Sequence, residues 1–365
     1  MKNVYGFIGL GLIGGSIAKT LRRVEPDCRI IAYNRSEEPR KAALADGTCD
    51  FVTGNIDENF SSCDVIFLCA PVELNEKFLG MLKPLIKPSC IVTDAGSVKE
   101  NIHRAAAELD MEKNFIGGHP MAGSEKTGYD SATDRLLENA YYALTPSALS
   151  PEDSIEKMVL LVKKIGAIPI VLDCREHDRA VAAISHLPHL IASSLVNLVK
   201  DEDSPDETMK TLAAGGFKDI TRIASSSPLM WEQICMTNTE NISELLNKYI
   251  DSLSRIKDEL DKKNGSAINK MFEESSVYRD SMSDRSRGMF EKAHVFYCDI
   301  IDEAGAISTI ATILAASGIS LKNIAITHNR EFQEGVLRIE LANEEDLEKS
   351  IALLEKYKYT VHRKK

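Results

Sequence analysis

The chain has 365 residues, 44% of them hydrophobic, and a formal net charge of −11, a length that exceeds one ordinary core and implies two or three domains. The acidic balance argues against nucleic acid or an anionic membrane as partner, because both reward a basic surface through counterion release. No apolar run approaches a membrane span, and Met1-Lys2-Asn3 leads straight into strand-like sequence, so a cytoplasmic protein without a signal or transit peptide is expected.

The first strand-like run is Val4-Tyr5-Gly6-Phe7-Ile8, followed at once by Gly9-Leu10-Gly11-Leu12-Ile13-Gly14 and a helix-like stretch from Ile17 to Val24. A glycine-rich turn between a first strand and a first helix lets the backbone approach a pyrophosphate, and the helix start offers free N–H groups to the anion. Gly9, Gly11, Leu12, Ile13 and Gly14 are therefore candidate dinucleotide-binding residues, with Ala70 and Pro71 at the end of a later strand. After the second strand, Asn34 stands where an acidic residue normally receives the ribose hydroxyls. An amide does not repel a 2′-phosphate. Either Arg35 and Ser36 hold one, which allows NADP beside NAD, or Arg35 only points to solvent.

Up to residue 173, strand-like runs at 4–8, 29–33, 64–70, 90–94, 115–117, 141–145 and 168–172 alternate with helical segments, the pattern of an α/β protein with a mostly parallel sheet covered on both faces. Ligands sit at the C-terminal ends of such strands. Ser97, in Asp94-Ala95-Gly96-Ser97-Val98-Lys99, can hydrogen-bond a substrate hydroxyl or its acceptor and can also cap a helix as a capping box with Glu100, two roles that are compatible. His119, in Gly117-Gly118-His119-Pro120-Met121-Ala122-Gly123-Ser124-Glu125, follows a strand at the ligand edge. An imidazole there can take a hydroxyl proton near neutral pH while a hydride leaves the same carbon.

Beyond Asp173 helical periodicity takes over, over 176–200, 207–213 and 230–262, with a stripe Leu245, Leu246, Tyr249, Leu253, Ile256, Leu260 that fits an all-α domain pairing with a second copy. His177, His186 and His189 could suggest a metal. Pro188 is expected to distort the helix between them and no carboxylate completes a ligand set, so substrate-pocket or interface roles are preferred and no metal is assigned. Arg222, between Ile220 and Ile223, is costly to bury without an anion. A carboxylate substrate would supply that anion; from spacing alone, a pair with Asp219 is the simpler reading. The eight cysteines show no C-x-x-C spacing and read as reduced core residues. Residues 275–293 read as a connector, and the rest as a ferredoxin-like βαββαβ unit whose turn Asp302-Glu303-Ala304-Gly305-Ala306-Ile307 forms a ligand corner. The expected domains are 1–173, 174–274 and 294–365, joined by the linker 275–293.

Taken together and in order, Gly9 to Ser16, Asp94 to Lys99, Gly117 to Glu125, Ser185 to His189 and Gly215 to Ala224 resemble the prephenate dehydrogenase (TyrA) family over essentially the whole chain, and the C-terminal unit looks like an ACT domain. The resemblance implies a Rossmann-like domain and the oxidative decarboxylation of prephenate to 4-hydroxyphenylpyruvate in tyrosine biosynthesis, with NAD as the expected cofactor. It implies further that His119 accepts the hydroxyl's hydrogen bond and that Ser97 orients that ring or the hydroxyl. Ser124 and Glu125 would shape the pocket, Arg222 would hold a substrate carboxylate, and His186, His189 and Asp219 would belong to the substrate site. A homodimer and L-tyrosine as effector at Asp302, Gly305, Ala306 and Ile307 are expected. Arogenate dehydrogenase, with an amine in place of the side-chain ketone, and a non-catalytic nucleotide and amino-acid sensor are the alternatives.

Overall fold

The computed structural model describes residues 2–123, 126–285, 294–301, 303, 305–328 and 335–363. The chain divides into two compact units, Met1–Arg255 and Ile256–Lys365.

The first unit begins β1 (Val4–Ile8), α1 (Leu12–Val24), β2 (Arg29–Tyr33), α2 (Glu37–Ala45), β3 (Phe51–Thr53), β4 (Val65–Leu68), α3 (Val72–Leu82), β5 (Ile91–Asp94) and α4 (Glu100–Glu108). Its five strands form a wholly parallel sheet in the order β3-β2-β1-β4-β5. All four residues of β4 and of β5 are buried, as expected of parallel strands with helices on both faces; β5 ends the five-stranded sheet and is covered on its outer side at Phe115. Phe7 and Phe67 stack across β1 and β4 at 5.0 Å in one core layer, while Ile8, Ile66 and Leu68 face the other. No strand is expected from the sequence at β3, Phe51-Val52-Thr53, because three residues are too few to show a periodicity.

Next come β6 (Ile116–Pro120), β7 (Tyr141–Pro146), α5 (Glu152–Lys164) and β8 (Ile168–Val171). They make a separate three-stranded sheet in which β6 and β7 are antiparallel and β7 and β8 parallel. A single bridge, Val92 to Phe115, lays it beside β5. One continuous mostly parallel sheet was expected; the structure has a parallel sheet of five strands and a mixed one of three.

The helical part of this unit holds α6 (Cys174–Val181), a π-helical segment (Ala182–His186), α7 (Leu187–Glu202), α8 (Thr208–Leu212), α9 (Gly215–Thr221), a 3-10 turn (Arg222–Ser225), α10 (Pro228–Thr237) and α11 (Thr239–Asp261), inside which the division between units falls. The distortion expected at Pro188 lies earlier, in the π segment. Pro188 itself sits in the first turn of α7, directly after the π segment, whose wider spacing accommodates the missing N–H and the proline ring. Cys174–Glu202 is one helical run of 29 residues, long and apolar enough by length and composition to cross a membrane, which corrects the expectation that no run approaches that length. Its early part is tied into the unit by the buried polar residues His177, Asp178 and His186.

The second unit contains α12 (Gly265–Arg285), β9 (His294–Ile300), α13 (Ala306–Ala316), β10 (Leu321–His328), β11 (Gly335–Leu341), α14 (Glu344–Lys356) and β12 (Val361–Arg363). Residues 275–285, read as connector, continue α12 as helix. The four strands form an antiparallel sheet in the order β10-β11-β9-β12. Alternate residues of β11, Leu337, Ile339 and Leu341, face Ile310, Leu314, Leu347, Ile351 and Leu354 of the two helices, the period of two that a half-covered sheet requires.

Candidate active site

The glycine turn is shaped by two close approaches. Gly9 has φ +108°, and a Cβ there would lie 2.8 Å from the carbonyl oxygen of Cys69, so only glycine fits. A Cβ on Gly14 would strike the Gly9 carbonyl, which lets α1 pack directly on the turn. Gly11 is the opposite case: a Cβ would meet nothing within 4 Å. That open space belongs to a cavity of about 570 Å³ lined by Gly11, Leu12, Ile13, Ala70, Pro71, Ser97, Gly123, Lys126 and residues of α10. The first turn of α1 borders it with no side-chain cap, leaving leading N–H groups and the positive end of the helix dipole for an anion. These features fit a dinucleotide pyrophosphate.

Asn34 braces the turn. Its Oδ1 accepts the Leu10 N–H at 3.0 Å and its Nδ2 donates to Ser36 O at 3.2 Å. Arg35 and Ser36 are exposed at the start of α2.

His119 lies within β6, not in the loop after it. Gly118, just before it, is clamped on both sides: its N–H donates to Asp94 Oδ1 at 3.0 Å, and its carbonyl accepts from Lys99 Nζ at 2.9 Å. Lys99 and Asp94 form an ion pair with both side chains almost wholly buried. His119 Nδ1 is 2.9 Å from His177 Nε2, and His177 Nδ1 is 2.8 Å from Asp178 Oδ1. Asp178 also accepts the Lys99 and Glu100 N–H groups, each at 2.8 Å. The capping box expected of Ser97 is therefore not formed; α4 starts at Glu100 and its leading N–H groups go to the Asp178 carboxylate, leaving Ser97 on the cavity wall. Burial pushes the His119 pKa well below the ordinary histidine value, and the charge of the buried Lys99 adds to the lowering, so the ring is neutral and can accept a proton.

On the helical side, His186 is fully buried, its Nδ1 is 3.2 Å from Asn238 Nδ2, and burial lowers its pKa to about 4. Its Nε2 and the Trp231 Nε1 are buried without a hydrogen-bond partner among the described residues. His189 donates from Nδ1 to Ser185 O at 3.0 Å and stacks on Trp231 with ring centroids 3.7 Å apart. Both line a second cavity of about 170 Å³ with Ser193, Ile223 and Ser226, and Ser226 borders the larger cavity too. Arg222 and Asp219 are exposed, correcting the expectation that Arg222 is buried. Burial lowers the His189 pKa, the bond to Ser185 opposes this, and the charge of Arg222 adds to the lowering, so Arg222 is within electrostatic reach of His189. Ser124, Glu125 and Asp302 lie outside the described residues. Gly305 has φ +97° at the start of α13, whose first turn carries Ala306 and Ile307.

Sequence reasoning missed Asp178, Asn238, the Asp94–Lys99 pair and the contribution of α10. It gave His177 a substrate-pocket or interface role in common with His186 and His189, without linking it to His119. Asp94 and Lys99 carry a usable signal, a charge ending an apolar strand with an opposite charge five residues on. Nothing in the spacing signals that His177 meets His119.

Five parallel strands in this order, a glycine turn opening a cavity at their C-terminal edge, and a neutral imidazole on the strand leading into its wall define a nicotinamide-dependent dehydrogenase of the Rossmann class. Residues 17–171 match the family profile described as "Prephenate dehydrogenase, nucleotide-binding domain", and residues 173–274 the one described as "Prephenate dehydrogenase, dimerization domain". The chain belongs to the prephenate dehydrogenase family. It is 35% identical over 360 residues to prephenate dehydrogenase of Bacillus subtilis (strain 168), covering 97% of this chain and 96% of that protein. Among solved structures it is similar to prephenate dehydrogenase from A. aeolicus in complex with hydroxyphenyl propionate and NAD+, at TM-score 0.73 and 31% identity over 77% of this chain and 98% of that one. It is also similar to Synechocystis arogenate dehydrogenase, at TM-score 0.69 and 29% identity over 76% and 99%.

Proposed function

We propose that the site oxidises and decarboxylates prephenate to 4-hydroxyphenylpyruvate, using NAD, in tyrosine biosynthesis. The observation that carries this reading is His119, desolvated and neutral, on the strand that runs into Ala122 and Gly123 of the cavity opened by the glycine turn. NAD, held by Gly9, Gly11, Leu12, Ile13 and Gly14 with Ala70 and Pro71, supplies the acceptor for the hydride from the ring carbon that bears the hydroxyl. His119 takes the hydroxyl proton as that carbon is oxidised. The resulting dienone loses carbon dioxide, its ring becomes aromatic, and the proton on His119 returns to the phenolate oxygen, so no net proton is released.

Ser97, on the cavity wall, orients the hydroxyl or the ring. Arg222, with Asp219 beside it, binds a carboxylate of the substrate, and His189, against Trp231, forms the floor of that subsite with His186 behind it. Access to solvent suits Arg222 to this role. Too firm a grip on a carboxylate that must leave as neutral carbon dioxide would stabilise the ground state more than the transition state. Ser124 and Glu125 complete the pocket. Residues 1–173 act as the dinucleotide domain and 174–274 as the substrate and dimerisation domain of a cytoplasmic homodimer. Residues 294–365 act as an ACT domain that binds L-tyrosine at Asp302, Gly305, Ala306 and Ile307; the βαββαβ order and the antiparallel sheet support this.

Initial rates of reduced-cofactor formation with prephenate or arogenate, each with NAD or NADP, test the reading. Turnover with prephenate and NAD is expected. Preference for arogenate would transfer the activity to the amine-bearing substrate, and binding of NAD without turnover on either would overturn it in favour of a sensor. Removing residues 294–365 is expected to abolish tyrosine inhibition; retained inhibition would place the effector elsewhere.

A further inference from the structure

We infer that His177 and Asp178 are positioning residues that hold His119 in the tautomer protonated on Nδ1, so that its Nε2 presents a lone pair to the substrate; the inference rests on the reading of His119 as the acceptor. The argument starts at Asp178. Its Oδ1 receives the Lys99 N–H and its Oδ2 the Glu100 N–H, each at 2.8 Å. A backbone N–H can only donate, so both oxygens face donors and the side chain acts as an acceptor throughout.

The ring atom 2.8 Å from Asp178 Oδ1 is His177 Nδ1, which must therefore carry a proton. The remaining choice is whether His177 is also protonated on Nε2. Asp178 does not need a cation to balance it, since its charge is already met by two N–H groups at the start of α4 and by that helix's dipole. A second positive charge beside the buried Lys99, with His177 itself 2% exposed, would be costly. His177 is then neutral and its Nε2 is an acceptor. His119 Nδ1, 2.9 Å away, must supply the hydrogen. A neutral imidazole protonated on Nδ1 has its lone pair on Nε2, and among the described residues that nitrogen of His119 has no hydrogen-bond partner.

The relay is held from both ends. Asp173 caps α6 by accepting the Arg175 N–H at 2.8 Å. Asn238 Nδ2 donates to Asp178 O at 2.8 Å and lies 3.2 Å from His186 Nδ1, tying the junction of α10 and α11 to the same turn. The π-helical segment follows directly after α6, a local irregularity that often accompanies functional side chains. When His119 takes the hydroxyl proton, the positive charge faces His177 Nε2 through the Nδ1–H already aimed at it. No rearrangement is needed at that moment.

The test uses the full chain labelled with 15N-histidine, with long-range 1H–15N correlation near neutral pH and the His119 signals assigned by their loss in His119→Asn. Wild-type His119 is expected to be protonated on Nδ1 and bare on Nε2, the reverse of the form free histidine prefers. In His177→Leu the ring should revert to the Nε2–H form. There kcat should fall about 10²-fold while KM and NAD affinity change only a few-fold. In His177→Gln, whose side-chain oxygen can accept from Nδ1, roughly tenfold of that loss should return. Wild-type His119 protonated on Nε2 would overturn the inference, as would a folded His177→Leu variant with unchanged tautomer and turnover. If His177→Leu does not fold, the wild-type spectrum decides alone. Failure of the prephenate reading is seen separately, as absence of turnover in a wild-type protein whose tautomer is as described.

Discussion

The surroundings of His119 and of Arg222 are built on opposite principles. Around His119 the polar groups are buried and cross-braced, with Asp94, Lys99, His177 and Asp178 all under 3% exposed; Asp219 and Arg222 are exposed on and just after a short helix. The contrast follows from what each group has to do. A proton acceptor must stay neutral and keep one tautomer, which desolvation and fixed partners provide. A guanidinium that receives a carboxylate from solution has to remain reachable, and its charge needs no tuning.

The largest test of that contrast is Lys99→Met. It strands the buried Asp94 carboxylate and the Gly118 carbonyl, so unfolding stability should fall by about 3–5 kcal/mol. A loss below about 1 kcal/mol in denaturant titration would remove the claim that β6 is braced by this pair. Next is the pH dependence. His186 titrates near 4 when folded and at its ordinary value of 6.5 when unfolded, and His119 is lowered in the same sense. Between those values the unfolded chain binds protons that the folded one does not. The stability these rings contribute is thus complete above pH 6.5 and is lost as pH falls toward 4, on the order of 3 kcal/mol for His186. A melting temperature that holds constant between pH 6.5 and 5 would contradict their buried, neutral state.

Arg222→Gln should act the other way. Its melting temperature should stay close to wild type because the side chain is exposed, while KM for prephenate rises roughly 10- to 100-fold. A destabilised variant with normal KM would exchange the roles of the two regions. The smallest effect is expected from Arg35→Ala. Turnover with NAD should change less than about twofold and turnover with NADP should fall further; equal effects on both cofactors would remove Arg35 from the 2′-phosphate site.

What could be read ahead follows the same division. The glycine turn, all seven drawn strands of the first 173 residues and the βαββαβ order of the C-terminal unit were legible, because strand burial and turn chemistry are written in local sequence. His119 was legible as a candidate, although its strand was drawn two residues short of it. Its partners were not. The His119–His177 contact joins residues 58 apart, and Asp178 caps a helix 78 residues earlier, so neither produces a periodicity. Ser97 shows the cost of local reasoning: a capping box fitted its sequence, but a carboxylate from a distant helix took the same N–H groups. The Arg222 expectation failed because flanking isoleucines were taken to imply burial, whereas Ile220 is 58% exposed.

The most direct measurement is the rate of NADH formation from prephenate by His119→Asn, with NAD affinity determined on the same variant. Asparagine keeps polarity but cannot take up the proton. Turnover should drop by about 10³-fold or more, NAD should bind nearly as in the wild type, and the wild-type enzyme should form NADH and 4-hydroxyphenylpyruvate in equal amounts. Wild-type turnover in the folded variant would contradict the account.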